Sequence, residues 1–187
     1  MDLRNKRVLF LGSSVTYGYR DSGISFADYM AKHCGLVMVK EAVPGTTLAD
    51  IAENSYVSRL KRVDTEQKFD LFICQLSTND AALSLPPEQT EKAIRDIIAY
   101  VRRTFDCPIM FYTGTYFESE NYANLVALLL SLQKELDFYV LDLWHDSDMR
   151  AISPEDYSRY MADPIHPNLL GYEQWWLPKF ISFCQGI

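Results

Sequence analysis

Leu9-Phe10-Leu11-Gly12-Ser13-Ser14-Val15-Thr16 is an apolar run that stops at a glycine and gives way to hydroxyls. Its first part, Val8–Leu11, does not alternate with polar residues, so it reads as a strand buried on both faces. Gly12 permits a tight exit from that strand, and a helical turn after it would present backbone N–H groups. Outward from this stretch, apolar runs alternate with helical patterns along the chain. Ile24–His33 reads as a helix ended by Gly35, and Leu36–Val39 as the second strand. Leu48–Val63 reads as a helix capped by Thr46 or Thr47. Phe69–Leu76 is the third strand. Pro86-Pro87-Glu88 opens a helix through Arg103, with Pro87 near its first turn. Ile109–Tyr112 is the fourth strand, and Asn121–Leu136 a helix with Leu125, Leu128, Leu129 and Leu132 on one face. Phe138–Leu143 is the fifth strand, and Asn168–Phe180 a closing helix interrupted by Pro178.

Alternating strands and helices imply a parallel sheet covered on both faces. Such sheets bind ligands outside the carboxyl ends of their strands. Ser14 follows the first strand, Gly45 the second and Asn79 the third. Thr113–Phe117 follow the fourth and His145 the fifth, while Asp163–His166 precede the closing helix. One sheet edge is expected to gather them.

The chain of 187 residues fits one domain spanning 1–187, with 48% apolar and 23% charged residues. A net charge of −7 gives no means to offset phosphate repulsion, so no nucleic-acid partner is expected. The basic run Arg59-Leu60-Lys61-Arg62 reads as a solvated helix face. Cys34, Cys74, Cys107 and Cys184 include no Cys-x-x-Cys pair, which suits free thiols in a reducing compartment. No apolar stretch is long enough to span a bilayer or to serve as a signal-peptide core, so membrane insertion is not expected and a cytoplasmic location is.

Asp163-Pro164-Ile165-His166-Pro167 places an acid three residues before a histidine, in a stretch too rich in proline for helix. A serine hydroxyl is a weak nucleophile until a base takes its proton, and an acid orients that base best. Only three histidines could serve as base. His33 sits late in an amphipathic helix. His145 lies at a strand end near Asp146 and Asp148, either as a base or as part of a sparse metal site. His166 has Asp163 in its own stiffened loop. Ser13 and Ser14 are both candidate nucleophiles. In Leu76-Ser77-Thr78-Asn79-Asp80, Asn79 is a donor for an oxyanion or a plain helix cap, and Gly45 in Pro44-Gly45-Thr46 is a second donor or a turn glycine.

These segments together resemble the SGNH hydrolases, also called GDSL esterases and lipases. The family's ordered blocks are similar to Gly12-Ser13-Ser14, to Gly45 in Val43-Pro44-Gly45-Thr46-Thr47, to Ser77-Thr78-Asn79-Asp80, and to Asp163-Pro164-Ile165-His166 with Pro167-Asn168 and Gly171-Tyr172 after it. The resemblance covers residues 8–172. Ser13 stands where the family has an acid, and Ser77 where it has a glycine.

The resemblance implies a three-layer α/β/α sandwich on a five-stranded parallel sheet in the flavodoxin-like order. It implies hydrolysis of a carboxylic ester through an acyl-enzyme on Ser14, with His166 as base and Asp163 as its orienting acid. The amides of Ser14 and Gly45 and the side chain of Asn79 would bind the oxyanion. No cofactor or metal is implied. The substrate is expected to be a small acyl ester or acetylated carbohydrate, with a thioester also open. Tyr17, Tyr19, Tyr112, Tyr116 and Phe117 are expected near the strand ends, where they could line its pocket. A flavin- or nucleotide-binding module using Gly12–Thr16 as a phosphate cradle is the rival, but it leaves Asp163 and His166 without a role.

Overall fold

The computed structural model describes residues 1–187. Its strands are β1 (Arg7–Gly12), β2 (Val37–Ala42), β3 (Leu71–Gln75), β4 (Ile109–Tyr112) and β5 (Tyr139–Leu141). They pair in parallel in the order β2-β1-β3-β4-β5. This is the flavodoxin-like order, in which the chain reverses its direction of winding between β1 and β3 and opens a crevice at their carboxyl ends.

Alternate residues of the central strands enter two separate cores. Leu9, Leu11, Phe72, Cys74, Ile109 and Phe111 pack on one face, against α3 (Tyr56–Leu60), α5 (Pro87–Thr104) and α6 (Glu120–Leu136). Val8, Phe10, Leu71, Ile73, Met110 and Tyr112 pack on the other, against α2 (Phe26–Cys34) and α9 (Leu177–Gln185). That two-sided burial makes a three-layer α/β/α sandwich. It also explains the unbroken apolar strand sequences, since side chains on both faces leave water. On the α2/α9 side the Phe26 and Phe180 rings stack with centroids 4.0 Å apart, adding directed packing to burial.

Local signals set the helix ends. Ser25 caps α2 in a reciprocal box with Asp28, and Gly35 closes it with φ of 68°. Four short helices follow no strong periodicity in the sequence: α1 (Ser14–Tyr17), α4 (Thr78–Ala82), α7 (Ser147–Arg150) and α8 (Pro154–Tyr160).

Two segments differ from their sequence readings. The helix expected over 48–63 shrinks to α3, which starts at a Ser55 cap rather than at Thr46 or Thr47. The N–H groups of Leu48 and Ala49 donate instead to the Asp80 carboxylate, at 2.8 and 2.9 Å. The Ala49 carbonyl, which a helix would pair with the Glu53 N–H, accepts instead from Thr47 Oγ1 at 2.8 Å and from the Ile51 N–H at 2.9 Å, so no helical ladder starts there. The closing helix is also not broken by Pro178. The chain widens into a π-helical stretch, Gly171–Trp176, and runs on through α9, with Leu177 N–H donating to the Tyr172 carbonyl. The wider turn accommodates a residue that lacks an N–H. Trp176 is buried, while Trp175 stacks on Tyr160. No helix is long and apolar enough to cross a membrane.

Candidate active site

Ser14 opens α1 directly after β1. Gly12 at the strand end accepts no substitute, because a Cβ there would lie 1.8 Å from Thr16 Oγ1 and 2.9 Å from Gln75 Oε1. That Gln75 oxygen accepts from Ser13 N–H at 3.0 Å, from Thr16 N–H at 3.3 Å and from Thr16 Oγ1 at 2.8 Å. One buried amide oxygen therefore shapes the nucleophile turn. It also occupies two of the backbone donors that a phosphate cradle would need. The Ser14 N–H, by contrast, donates to no protein acceptor.

Ser14 Oγ lies 2.8 Å from His166 Nε2. His166 Nδ1 lies 2.9 Å from both oxygens of Asp163. An ionised carboxylate only accepts, so the proton belongs on Nδ1, leaving Nε2 free to accept from the Ser14 hydroxyl. The loop preorganises the acid: Asp163 Oδ1 also accepts from the Ile165 and His166 N–H groups, each at 2.9 Å. Burial works to raise the Asp163 pKa, but these backbone bonds and the His166 ring outweigh it and hold the carboxyl at about 2. Asp163 is therefore ionised at neutral pH. Arg20 Nε donates to Asp163 Oδ2 at 3.0 Å from the solvent side.

Asn79 sits in the first turn of α4, capped by Ser77, whose Oγ accepts from Asp80 N–H. Asn79 Nδ2 donates to the Thr46 carbonyl at 2.8 Å. An amide has two N–H groups, so one remains for an oxyanion. The same contact draws the Gly45 loop to the end of β3. Gly45 is exposed, adopts φ of 77°, and its N–H has no protein acceptor. Asp80, buried and bonded to Thr90 Oγ1 at 2.8 Å as well as to Leu48 and Ala49, pins that loop from below.

Several sequence readings need correction. Tyr112 is fully buried, and its hydroxyl lies 2.7 Å from Thr16 Oγ1, so it packs beneath the site rather than lining it. Phe117 turns toward the core, 5.0 Å from the Tyr122 ring and 5.2 Å from that of Trp144. Tyr17 and Tyr116 are exposed, and Arg150 covers one face of Tyr116 at 4.2 Å. Tyr19, more exposed than either, flanks His166 with ring centroids 5.9 Å apart. Arg59 is no solvated face: it is 3% exposed and bonded to backbone carbonyls. Burial lowers its pKa, with Tyr56 and Glu41 opposing, yet a guanidinium stays charged. His145 pairs with Asp142 at 2.7 Å beyond β5, on the outer edge of the sheet and outside the Ser14 chain. Gln75 went unread because it sits inside an apolar strand run, and Arg59 was misplaced because its basic neighbours suggested a solvated face. Asp80 was visible only as a neighbour of Asn79.

The model of the GDSL-like lipase/acylhydrolase family matches residues 10–174. The chain belongs to this family. It is thereby an enzyme of the esterase and acylhydrolase class, and its fold is that of the SGNH hydrolases. A protein from Lactobacillus plantarum superposes with a TM-score of 0.83 at 17% identity, covering 98% of each chain. An acetylxylan esterase from Geobacillus stearothermophilus superposes at 0.72 with 15% identity, covering 97% of this chain and 95% of the other. A family two carbohydrate esterase from Clostridium thermocellum, in complex with cellohexaose, superposes at 0.77 with 15% identity over 98% of this chain and 64% of the other. No curated protein sequence matches the chain. Among GDSL hydrolases this one carries Ser13 before its candidate nucleophile and Ser77 as the cap of the Asn79 helix.

Proposed function

We propose that the protein, as a single domain, hydrolyses short-chain carboxylic esters by a two-step acyl-enzyme route. The 2.8 Å contact between Ser14 Oγ and His166 Nε2, continued to Asp163, carries this reading. His166 takes the Ser14 proton as Oγ attacks the carbonyl carbon. The tetrahedral intermediate places its charge on the former carbonyl oxygen, met by the amides of Ser14 and Gly45 and by Asn79. His166 returns the proton to the leaving alcohol, and water reverses the sequence to release the acid. Asp163 stabilises the imidazolium formed in each step.

A short acyl group is favoured by the likeness to an acetylxylan esterase. The exposed Tyr17, Tyr19 and Tyr116 rings suit a sugar as the alcohol, and the likeness to carbohydrate and acetylxylan esterases supports an O-acetylated carbohydrate. The test is a fluorophosphonate label with peptide mapping, beside a panel of p-nitrophenyl esters and acetylated sugars. One adduct on Ser14, lost in Ser14→Ala with all turnover, is expected. Labelling of Ser13, or undiminished labelling of Ser14→Ala, refutes the assignment.

A further inference from the structure

Arg59 is a buried cation with an unusual set of partners. Nη2 donates to the Gly12 carbonyl at 2.7 Å and to Thr46 Oγ1 at 3.2 Å. Nη1 donates to the Glu41 carbonyl at 2.6 Å, and Nε to the Asn54 carbonyl at 3.0 Å. Gly12 ends β1 just before the nucleophile turn. Glu41 lies near the end of β2, which leads into the Gly45 loop. Thr46 follows Gly45, and its carbonyl accepts from Asn79. One guanidinium therefore joins the strand end behind Ser14, the strand end behind Gly45, and the loop that meets Asn79.

The charge itself also needs a reason. Desolvating a guanidinium is costly, and buried cations are normally paired with a carboxylate. The nearest here is Glu41 Oε2 at 4.0 Å, and that side chain is 42% exposed. Three carbonyl oxygens and one hydroxyl take four of its five N–H donors instead, and Glu41, more than a third exposed, offsets only part of the charge. The N–H of Ser14, two residues after Gly12, and that of Gly45, next to Thr46, donate to no protein acceptor.

We propose that Arg59 is a positioning residue for the oxyanion hole, holding the Ser14 and Gly45 amides in register with Asn79 and supplying a positive field behind them. The inference rests on the esterase reading of Ser14. Negative charge develops on the carbonyl oxygen only as Oγ adds, so a preorganised field there favours the transition state over bound substrate. Register matters for the same reason, since misplacing a group by about 1 Å can cost on the order of 100-fold. An uncharged residue of similar shape would fill the space but could not hold four acceptors.

The experiment compares wild type, Arg59→Met and Arg59→Lys in three measurements. Fluorophosphonate burst titration counts functional sites, p-nitrophenyl acetate gives kcat per titrated site and KM, and methylboronic acid gives Ki. The boronate adds to the nucleophile as a tetrahedral anion and so probes the hole directly. Arg59→Met should lose on the order of 10- to 100-fold in kcat per site. Boronate affinity should fall in parallel, with KM nearly unchanged. Arg59→Lys, which keeps the charge but reaches fewer acceptors, should recover part of both. A role confined to folding would lower the melting temperature and the number of titratable sites while leaving kcat per site and Ki as in wild type, and that result overturns the proposal. Should Arg59→Met not fold, Arg59→Lys decides alone: parallel losses support the proposal, and unchanged kcat and Ki reject it. If wild type takes no label and cleaves no ester, the esterase reading fails and the proposal with it. A labelled, active wild type beside unaffected variants sinks the proposal alone.

Discussion

Asn79→Ala separates catalysis from binding and from folding. The side chain has two N–H groups, and one is committed to the Thr46 carbonyl at 2.8 Å. The other is the proposed oxyanion donor. Removing one such donor typically costs about 100- to 1000-fold in kcat, or about 3–4 kcal/mol of transition-state stabilisation. Losing the Thr46 bond adds a stability loss of about 1 kcal/mol. The α4 helix should survive, because its cap is Ser77 and its buried anchor is Asp80. Asn79→Asp keeps the shape, but its carboxylate donates nothing and repels the oxyanion, so it should be no more active than alanine. Steady-state kinetics on p-nitrophenyl acetate, normalised by active-site titration, measure kcat and KM, and a thermal melt measures folding. A folded Asn79→Ala with kcat reduced less than about tenfold, or with its whole loss in KM, would refute the oxyanion role.

His166→Ala should abolish turnover, while His145→Ala, at a residue bonded to Asp142 and not to Ser14, should keep most of it; the reverse pattern dismantles the triad. Wild-type activity should decline on acidification, because an imidazolium cannot accept the Ser14 proton, and a pH–rate profile of kcat/KM checks this. Asp163 carries the stability side of pH dependence. Its folded pKa, about 2, lies below the ordinary 3.8. The carboxylate thus stabilises the fold above pH 4, and this contribution is lost as the pH falls through about 2. After discounting for solvent screening it is worth on the order of 1–2 kcal/mol. Denaturant unfolding of wild type and Asp163→Asn should show that gap at pH 7 and its narrowing toward pH 2; a gap independent of pH rejects the account.

The parts of the candidate site that were legible in the sequence are those built by short segments. Asp163 and His166 lie three residues apart in a loop stiffened by prolines, so their contact needs only local geometry. The turn at Gly12-Ser13-Ser14 is equally local, forced by a glycine that no side chain can replace. The readings that failed depended on what a residue meets across the fold. A helical pattern over 48–63 lost its first half, where Asp80 from another segment anchors the Leu48 and Ala49 N–H groups and the Ala49 carbonyl accepts from Thr47 Oγ1 and the Ile51 N–H instead of a helical partner. Arg59 looked like part of a solvated basic run until the strand ends supplied its carbonyl partners. Tyr112 lay at a strand end but on the face turned into the core.

The sequence by itself determined the strand and helix alternation, hence a parallel two-sided sheet, because burial on both faces demands unbroken apolar strands. It also determined which reactive groups each strand end carries, since hydroxyl, imidazole and carboxylate are fixed by residue type. The tertiary structure decided which of these meet. It brought Ser14 within 2.8 Å of a histidine 152 residues away, kept His145 at the outer edge of the sheet, and joined the Gly12 strand end to the Gly45–Thr46 loop through a buried guanidinium. Hydrogen bonds depend on distance and angle between groups far apart in the chain. Only the packed sheet order β2-β1-β3-β4-β5 sets those distances.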